Sequence, residues 1–203
     1  MIGRVIHTRD TVESTQAVLG HLARAGAVEG TVVTARHQTG GRGRRGRQWW
    51  DAPGDSLLLS VLLRPPGPLA DVPQLSLVAA LAVTEALWSA ASVRGRIRWP
   101  NDVLAGGRKI CGILPEAVCE AAGRVGHVIL GVGINVNQTA FPGELADRAT
   151  SLRLLTGRVQ EPAALGAYVL EALDRWYGRW LAGGFAPLRE EWRRRSSASS
   201  RGR

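Results

Sequence analysis

Arg96-Ile97-Arg98-Trp99-Pro100-Asn101-Asp102-Val103-Leu104-Ala105-Gly106-Gly107-Arg108-Lys109-Ile110-Cys111-Gly112-Ile113-Leu114 reads as two strands folded back on a two-residue turn. Gly106-Gly107 can adopt the positive φ angles that tight hairpins require, so strands are expected over 96–104 and 108–114. In that register Ala105 faces Arg108, Leu104 faces Lys109 and Asp102 faces Cys111. Residues opposite each other share a sheet face, as do residues two apart along a strand. Asp102 and Lys109 are therefore diagonal neighbours, roughly 7–8 Å apart at the backbone. Long side chains there can converge on one small ligand, and a structural salt bridge has the same geometry.

Lys109 is also singular in composition. The chain carries 26 basic residues, and the other 25 are arginine. An ammonium is a compact point charge and a guanidinium a planar fork, so the two are not interchangeable. Drift of the whole composition towards arginine would equally leave a stray lysine.

Away from the hairpin, strands are expected at 5–7, 31–36, 56–63 and 127–132. The run 56–63 is almost wholly apolar and is stopped by Pro65-Pro66. Ser14 stands where a helix N-cap belongs, ahead of Ala17, Val18, Leu22 and Ala25 at helical spacing and Gly26 as terminator. Long helices are expected at 74–91 and 161–181. Explicit hairpins and early strands predict an α+β fold, with a mixed, largely antiparallel sheet flanked by helices rather than a doubly wound one.

At 203 residues the chain suits one domain with a substantial core. An apolar fraction of 45% with 21% charged residues describes a folded protein. The apolar stretch from Leu75 to Ser92 is interrupted by Thr84, Glu85 and serines and is too polar for a membrane span. The first residues lack a secretion-signal core. Cys111 and Cys119 make no disulfide framework, and no Cys/His spacing resembles a metal site, so no protein metal ligands are expected. A cytoplasmic protein without a membrane partner is the simplest expectation. The net charge of +9 points towards nucleic acid, but the charge is local: five arginines fall in the last eleven residues and four in one loop.

That loop is Gln38-Thr39-Gly40-Gly41-Arg42-Gly43-Arg44-Arg45-Gly46-Arg47-Gln48-Trp49-Trp50. It matches G-x-G-x-x-G letter for letter, yet it leads into Asp51-Ala52-Pro53-Gly54, a poor helix, where a dinucleotide fold needs a helix N-terminus. It is no P-loop, because Gly46 is followed by Arg47-Gln48. Flexible backbone with four guanidiniums should order around an anion, since arginine binds phosphate or carboxylate bidentately. Trp49 or Trp50 can cover an aromatic base. A solvated basic loop or an RNA-contacting arm is the competing reading.

Four segments together resemble the biotin protein ligase (biotin–[acetyl-CoA-carboxylase] ligase) family: Glu13-Ser14-Thr15-Gln16, the Gln38–Trp49 loop, Trp99-Pro100-Asn101-Asp102 with Lys109-Ile110-Cys111-Gly112-Ile113-Leu114, and Gly131-Val132-Gly133-Ile134-Asn135. The resemblance runs from residue 5 to about 192. It implies a catalytic domain over 1–192, similar to class II aminoacyl-tRNA synthetases and lipoate ligases. The implied reaction activates biotin with ATP to biotinyl-5′-AMP and passes the biotinyl group to a lysine of a biotin carboxyl carrier protein domain of a carboxylase. Mg²⁺ is implied with the triphosphate, held mostly by phosphate oxygens and water.

By the same resemblance Ser14, Thr15, Gln16 and Gln38 hold the ureido end of biotin, with Gly43 and Gly112 lining its site. Arg42 and Arg44 grip carboxylate and phosphates, and the loop closes over the adenylate. Lys109 neutralises charge between the biotin carboxylate and the α-phosphate. Asp102 orients or deprotonates the carrier lysine, and Arg44 completes the catalytic set. Trp49, Asn101 and Asn135 hold the nucleotide together with Arg42, Arg44 and Lys109.

The chain departs from the family pattern in three places. Arg98 stands where relatives have lysine. Only about four residues precede the first strand, which leaves no helix-turn-helix and no basis for DNA binding. The family's small C-terminal SH3-like barrel is not expected either, and 193–203 read as a disordered basic tail. A homodimer is possible. The alternatives are a lipoate or octanoate ligase on the same fold, an RNA-binding module, and an inactive truncated homologue.

Overall fold

The computed structural model describes residues 1–120 and 124–196. Seven strands form one sheet: β1 (Ile6–Val12), β2 (Val32–Gln38), β3 (Ser56–Leu63), β4 (Arg96–Arg98), β5 (Asp102–Ala105), β6 (Arg108–Cys119) and β7 (Val125–Asn135). Their order is β1-β2-β3-β7-β6-β5-β4. Only β1 and β2 run parallel; the other neighbours are antiparallel, as the hairpin predicts. β3 lies inside the sheet, between β2 and β7, with all eight residues buried, which explains why its sequence is a continuous apolar run rather than an alternating one.

Helices cover both faces. On one side lies α1 (Thr15–Arg24), whose Leu19 and Ala23 meet Val33, Leu62 and Ile129 in a small cluster. The other side carries α2 (Val72–Ala91) and α4 (Pro162–Gly183), with the short α3 (Leu152–Thr156) before α4 and α5 (Arg189–Arg195) after it. The main core forms there: Leu57, Leu59, Leu130, Val132 and Ile134 from the sheet pack under Val78, Leu81 and Leu173. By length and composition alone, Leu69–Ala91 could cross a membrane. Its apolar side chains from Leu75 to Leu87 are instead largely buried against sheet and α4.

The alternation of side chains then decides what the α1 face carries. With Leu130, Val132 and Ile134 in the main core, Gly131 and Gly133 are left on the opposite face, and the register sets Gly112 beside Gly133. Three glycines thus leave a floor without side chains on that face.

The hairpin differs from its expected form in two ways. The strand expected over 96–104 is broken, because residues 99–101 form a turn with a cis Trp99–Pro100 bond. The second strand continues to Cys119. Ala105 pairs with Arg108 and Leu104 with Lys109 as expected, but an irregularity between Val103 and Leu104 sets Asp102 opposite Gly112, not Cys111. A bulge of this kind inserts one residue into one strand and re-aims its neighbours. Cys111 goes into the core, where burial pushes its thiol pKa well up and leaves it inert.

On α1 the buried positions are Thr15, Gln16, Leu19, Gly20 and Ala23, whereas Ala17, Val18 and Leu22 are only half-buried and Ala25 is exposed. The helix presents polar residues at its start because its first turn faces a cavity rather than the core. The expected disorder from residue 193 is corrected for its first positions. Arg193–Arg195 complete α5, Arg195 donates to the Leu81 carbonyl and Thr84, and Ser196 bridges Ile97. Residues 197–203 of that expectation lie outside the described residues.

Candidate active site

A cavity of about 410 Å³ opens on the α1 face, over the glycine floor and under the arginine-rich loop. Its polar end is built by α1 and β2. Gln38 Oε1 accepts from the Thr15 main-chain N–H at 2.8 Å and from its hydroxyl at 3.0 Å, and Thr15 Oγ1 lies 2.8 Å from Ser60 Oγ. Gln16 Nε2 donates to the Leu114 carbonyl at 3.2 Å and to Glu116 Oε2 at 3.0 Å. A Cβ on Gly131 would sit 2.8 Å from the Gln16 amide, so only glycine allows the side chain to lie there.

The charged end is built by the hairpin. Lys109 Nζ is 2.7 Å from Asp102 Oδ1, and Arg98 donates to Asp102 Oδ2, also at 2.7 Å. Burial pushes the Asp102 carboxyl up, but Lys109 and Arg98 together outweigh it and hold the group below its ordinary value of 3.8. Asp102 is therefore an anionic anchor at neutral pH. The main chain of Lys109 is fixed as well: its N–H donates to the Arg148 carbonyl and its carbonyl accepts from Thr150, each at 2.8 Å.

The loop closes the cavity as a small hairpin of its own. Arg42 bridges Gln48, Gly43 N–H donates to the Arg47 carbonyl, and Trp49 N–H donates to the Gly41 carbonyl. Arg44 Nη1 donates to Asn101 Oδ1 at 3.2 Å, and Asn101 Nδ2 in turn donates to the Ile113 carbonyl at 3.0 Å. The Trp49 ring lies on Gly112 and Gly133, where an added Cβ would come within 2.8 and 2.7 Å of it, and Lys109 Nζ is 5.5 Å from the ring centroid. Trp49 Nε1 is buried without a hydrogen-bond partner. Trp50 also lines the cavity and meets Phe141 edge-on.

Thr15, Gln16, Gln38, Arg42, Gly43, Arg44, Trp49, Asn101, Asp102, Lys109, Gly112 and Asn135 all line this one cavity. Ser14 does not. It precedes the first turn in extended conformation, is buried, and its side chain makes no capping bond. Asn135 lines the wall, with its Nδ2 donating to the Thr150 carbonyl, which ties it to the segment that holds Lys109. Gly131, Gly133 and Glu116 were not anticipated as site residues. The alternation Gly131-x-Gly133 inside a strand carried the signal, since interior strand glycines mark close approach of another group.

Ammonium, guanidinium and amide donors converging on one concave, half-apolar site define a small-molecule ligand site suited to anions. Comparison with known proteins agrees. Residues 8–135 match the model of the biotin/lipoate A/B protein ligase family. The chain is 41% identical over 194 residues to the bifunctional ligase/repressor BirA of Bacillus spizizenii, covering 95% of this chain and 59% of that protein. It is 38% identical to the biotin–[acetyl-CoA-carboxylase] ligase of Paracoccus denitrificans, covering 81% of this chain and 70% of that protein. Among solved structures, biotin protein ligase from Aquifex aeolicus in complex with biotin and ATP superposes with a TM-score of 0.83 at 31% identity, over 96% of this chain and 79% of that one. The chain belongs to the biotin/lipoate A/B protein ligase family. It spans about three fifths of the length of the Bacillus relative.

Proposed function

We propose that this chain activates biotin with ATP to biotinyl-5′-AMP and then biotinylates a lysine of a biotin carboxyl carrier protein domain. One observation carries the reading: a fixed Lys109 ammonium and the amides of Gln16 and Gln38 stand in a single cavity. That arrangement suits a ligand with a polar, hydrogen-bonding head and an anionic tail. Biotin is such a ligand, whereas the dithiolane of lipoate offers the amides no hydrogen-bond partner. The relatives named as biotin ligases support the same choice.

In the first step the biotin carboxylate attacks the α-phosphorus of ATP and pyrophosphate leaves. Negative charge gathers where the two anions meet, and Lys109 offsets it from a position set by Asp102 below and residues 148–150 behind. Arg42 and Arg44, released from Glu116 and Asn101, grip phosphate and carboxylate. Trp49 and Asn135 border the nucleotide. In the second step the carrier's neutral lysine attacks the acyl carbon, the bond from acyl carbon to phosphate oxygen breaks so that AMP departs, and the amine's proton is released to water. Asp102, kept anionic by its two cations, is a weak base; it orients the incoming amine rather than taking up its proton. The closed loop shields the mixed anhydride from water.

Mg²⁺ would accompany the triphosphate, held mostly by phosphate oxygens and water. Among the described residues no three His, Cys, Asp or Glu side chains stand together as a metal cage. The protein is proposed to act in the cytoplasm, and a second copy as partner is compatible with this reading. The test is biotin-dependent exchange of labelled pyrophosphate into ATP. Exchange with biotin and not with lipoate is expected; exchange with lipoate alone, or none at all, overturns the proposal.

A further inference from the structure

Glu116 lies on β6 beyond the polar end of the cavity, and one of its oxygens serves two donors. Oε2 accepts from Gln16 Nε2 at 3.0 Å and from Arg42 Nη2 at 2.8 Å. The first donor belongs to the polar end of the site and the second to the loop. Both side chains of the Arg42–Glu116 pair are partly exposed, at 47% and 35%, so a bound anion can compete for the guanidinium. We infer that Glu116 is a positioning residue that fixes the Gln16 amide in one sense and latches the loop through Arg42.

The first role follows from the partners of Gln16. A side-chain amide has one donating and one accepting end, and its sense is set by its neighbours. Leu114 O and Glu116 Oε2 can only accept, so both draw Nε2 towards β6. Oε1 is left on the other side of the amide, against the Gly131 main chain. Gln16 therefore offers the cavity an acceptor, which suits a ligand N–H such as that of a cyclic urea. Without the Glu116 carboxylate one acceptor is lost and the amide can turn over, which sets a donor against the ligand's donor.

The second role follows from the same atom. Arg42 is tied to β6 through Glu116, and the loop is held down at that corner. A ligand carboxylate or phosphate exchanges one anionic partner for another, so the guanidinium never loses a charged acceptor while the loop moves. The shared oxygen stays on Gln16 when Arg42 leaves. Loop release thus does not disturb the head-group contact.

The part concerning Gln16 rests on the biotin reading; the latch does not. The test compares the unmodified chain with Glu116→Ala and Glu116→Asp. Limited trypsin digestion without ligands is read by mass spectrometry at Arg42, Arg44, Arg45 and Arg47, with the exposed Arg158 as internal reference. Loss of the latch is expected to speed cleavage at the four loop arginines by about tenfold, the scale of one hydrogen bond to a charged group, and to leave Arg158 unchanged. Unchanged loop cleavage overturns the latch, whatever the enzyme's substrate proves to be. In biotin-dependent pyrophosphate exchange, Glu116→Ala is expected to raise KM for biotin about tenfold with kcat within about threefold, and Glu116→Asp to recover part of the loss. An unchanged KM, or a fall confined to kcat, overturns the role towards Gln16. Faster loop cleavage with no exchange in the unmodified chain supports the latch and overturns the biotin reading instead.

Discussion

The hairpin and the glycine–arginine loop bring cations to the same cavity, but very different amounts of structure hold them. Lys109 is anchored at main chain and side chain, by residues 148 and 150 and by Asp102, within a seven-stranded sheet. Arg42 and Arg44 sit on a short loop closed by a few main-chain bonds and reach the body through one carboxylate and one amide. Segments with few buried contacts open most readily, and ligand-gating loops come from that end of the stability range. On the proposed function, the site keeps a fixed charge where the reacting atoms are placed and more loosely held charges where ligands enter.

The sharpest way to break that division is Lys109→Arg. Charge is kept, but the planar fork cannot occupy the place of a compact ammonium between Asp102 and the substrate. A loss of roughly 100-fold or more in biotin-dependent pyrophosphate exchange is expected, comparable to removal of one preorganised electrostatic group. Activity near that of the unmodified chain would mean that fixed placement of the charge is unimportant.

A smaller effect is expected from Gly133→Ala. The new Cβ would meet the Trp49 ring at 2.7 Å, in the place where floor and loop touch. The indole must shift, and KM for ATP should rise about tenfold, with the thermal midpoint little altered. Unchanged nucleotide affinity would separate Trp49 from the nucleotide site.

Asp102→Asn tests the fixed side by pH. The Asp102 pKa is lowered on folding, so its ion pairs contribute stability above the ordinary carboxylate range, and that contribution is lost as pH falls through the lower folded value. The unmodified chain should therefore melt above Asp102→Asn at pH 6, and the gap should narrow as pH is taken below about 4. A gap independent of pH would show that the pair adds packing but no net charge stabilisation.

The smallest effect belongs to the loop. Arg45 holds a left-handed φ of +59° with an exposed side chain. Arg45→Gly should relieve that conformation by no more than about 1 kcal/mol and leave exchange activity close to that of the unmodified chain. A large loss of activity would give Arg45 a role that its exposure does not suggest.

Much of this arrangement was legible in sequence where short-range rules decide it. Gly106-Gly107 specified the turn, and with it the pairing of Leu104 with Lys109 and the meeting of Asp102 with Lys109. The apolar run at 56–63 specified a fully buried strand with the same limits as observed. The bulge beside Val103 was not legible, because it depends on how β6 packs against β7 and the core. Nor was the role of Glu116, whose partners are 100 and 74 residues away. Ser14 was assigned to the ligand from motif position, yet the backbone enters the helix one residue later and turns Thr15 and Gln16 towards the cavity instead.

The solitary lysine also makes this chain its own spectroscopic probe. Apart from the α-amino group, Lys109 carries the chain's sole primary amine. Reductive methylation with isotope-labelled formaldehyde would therefore place a single side-chain reporter in the protein, in the wall of the cavity proposed to take the substrates. In most enzymes a label on the working lysine is lost among dozens of surface signals; here arginine has cleared the background.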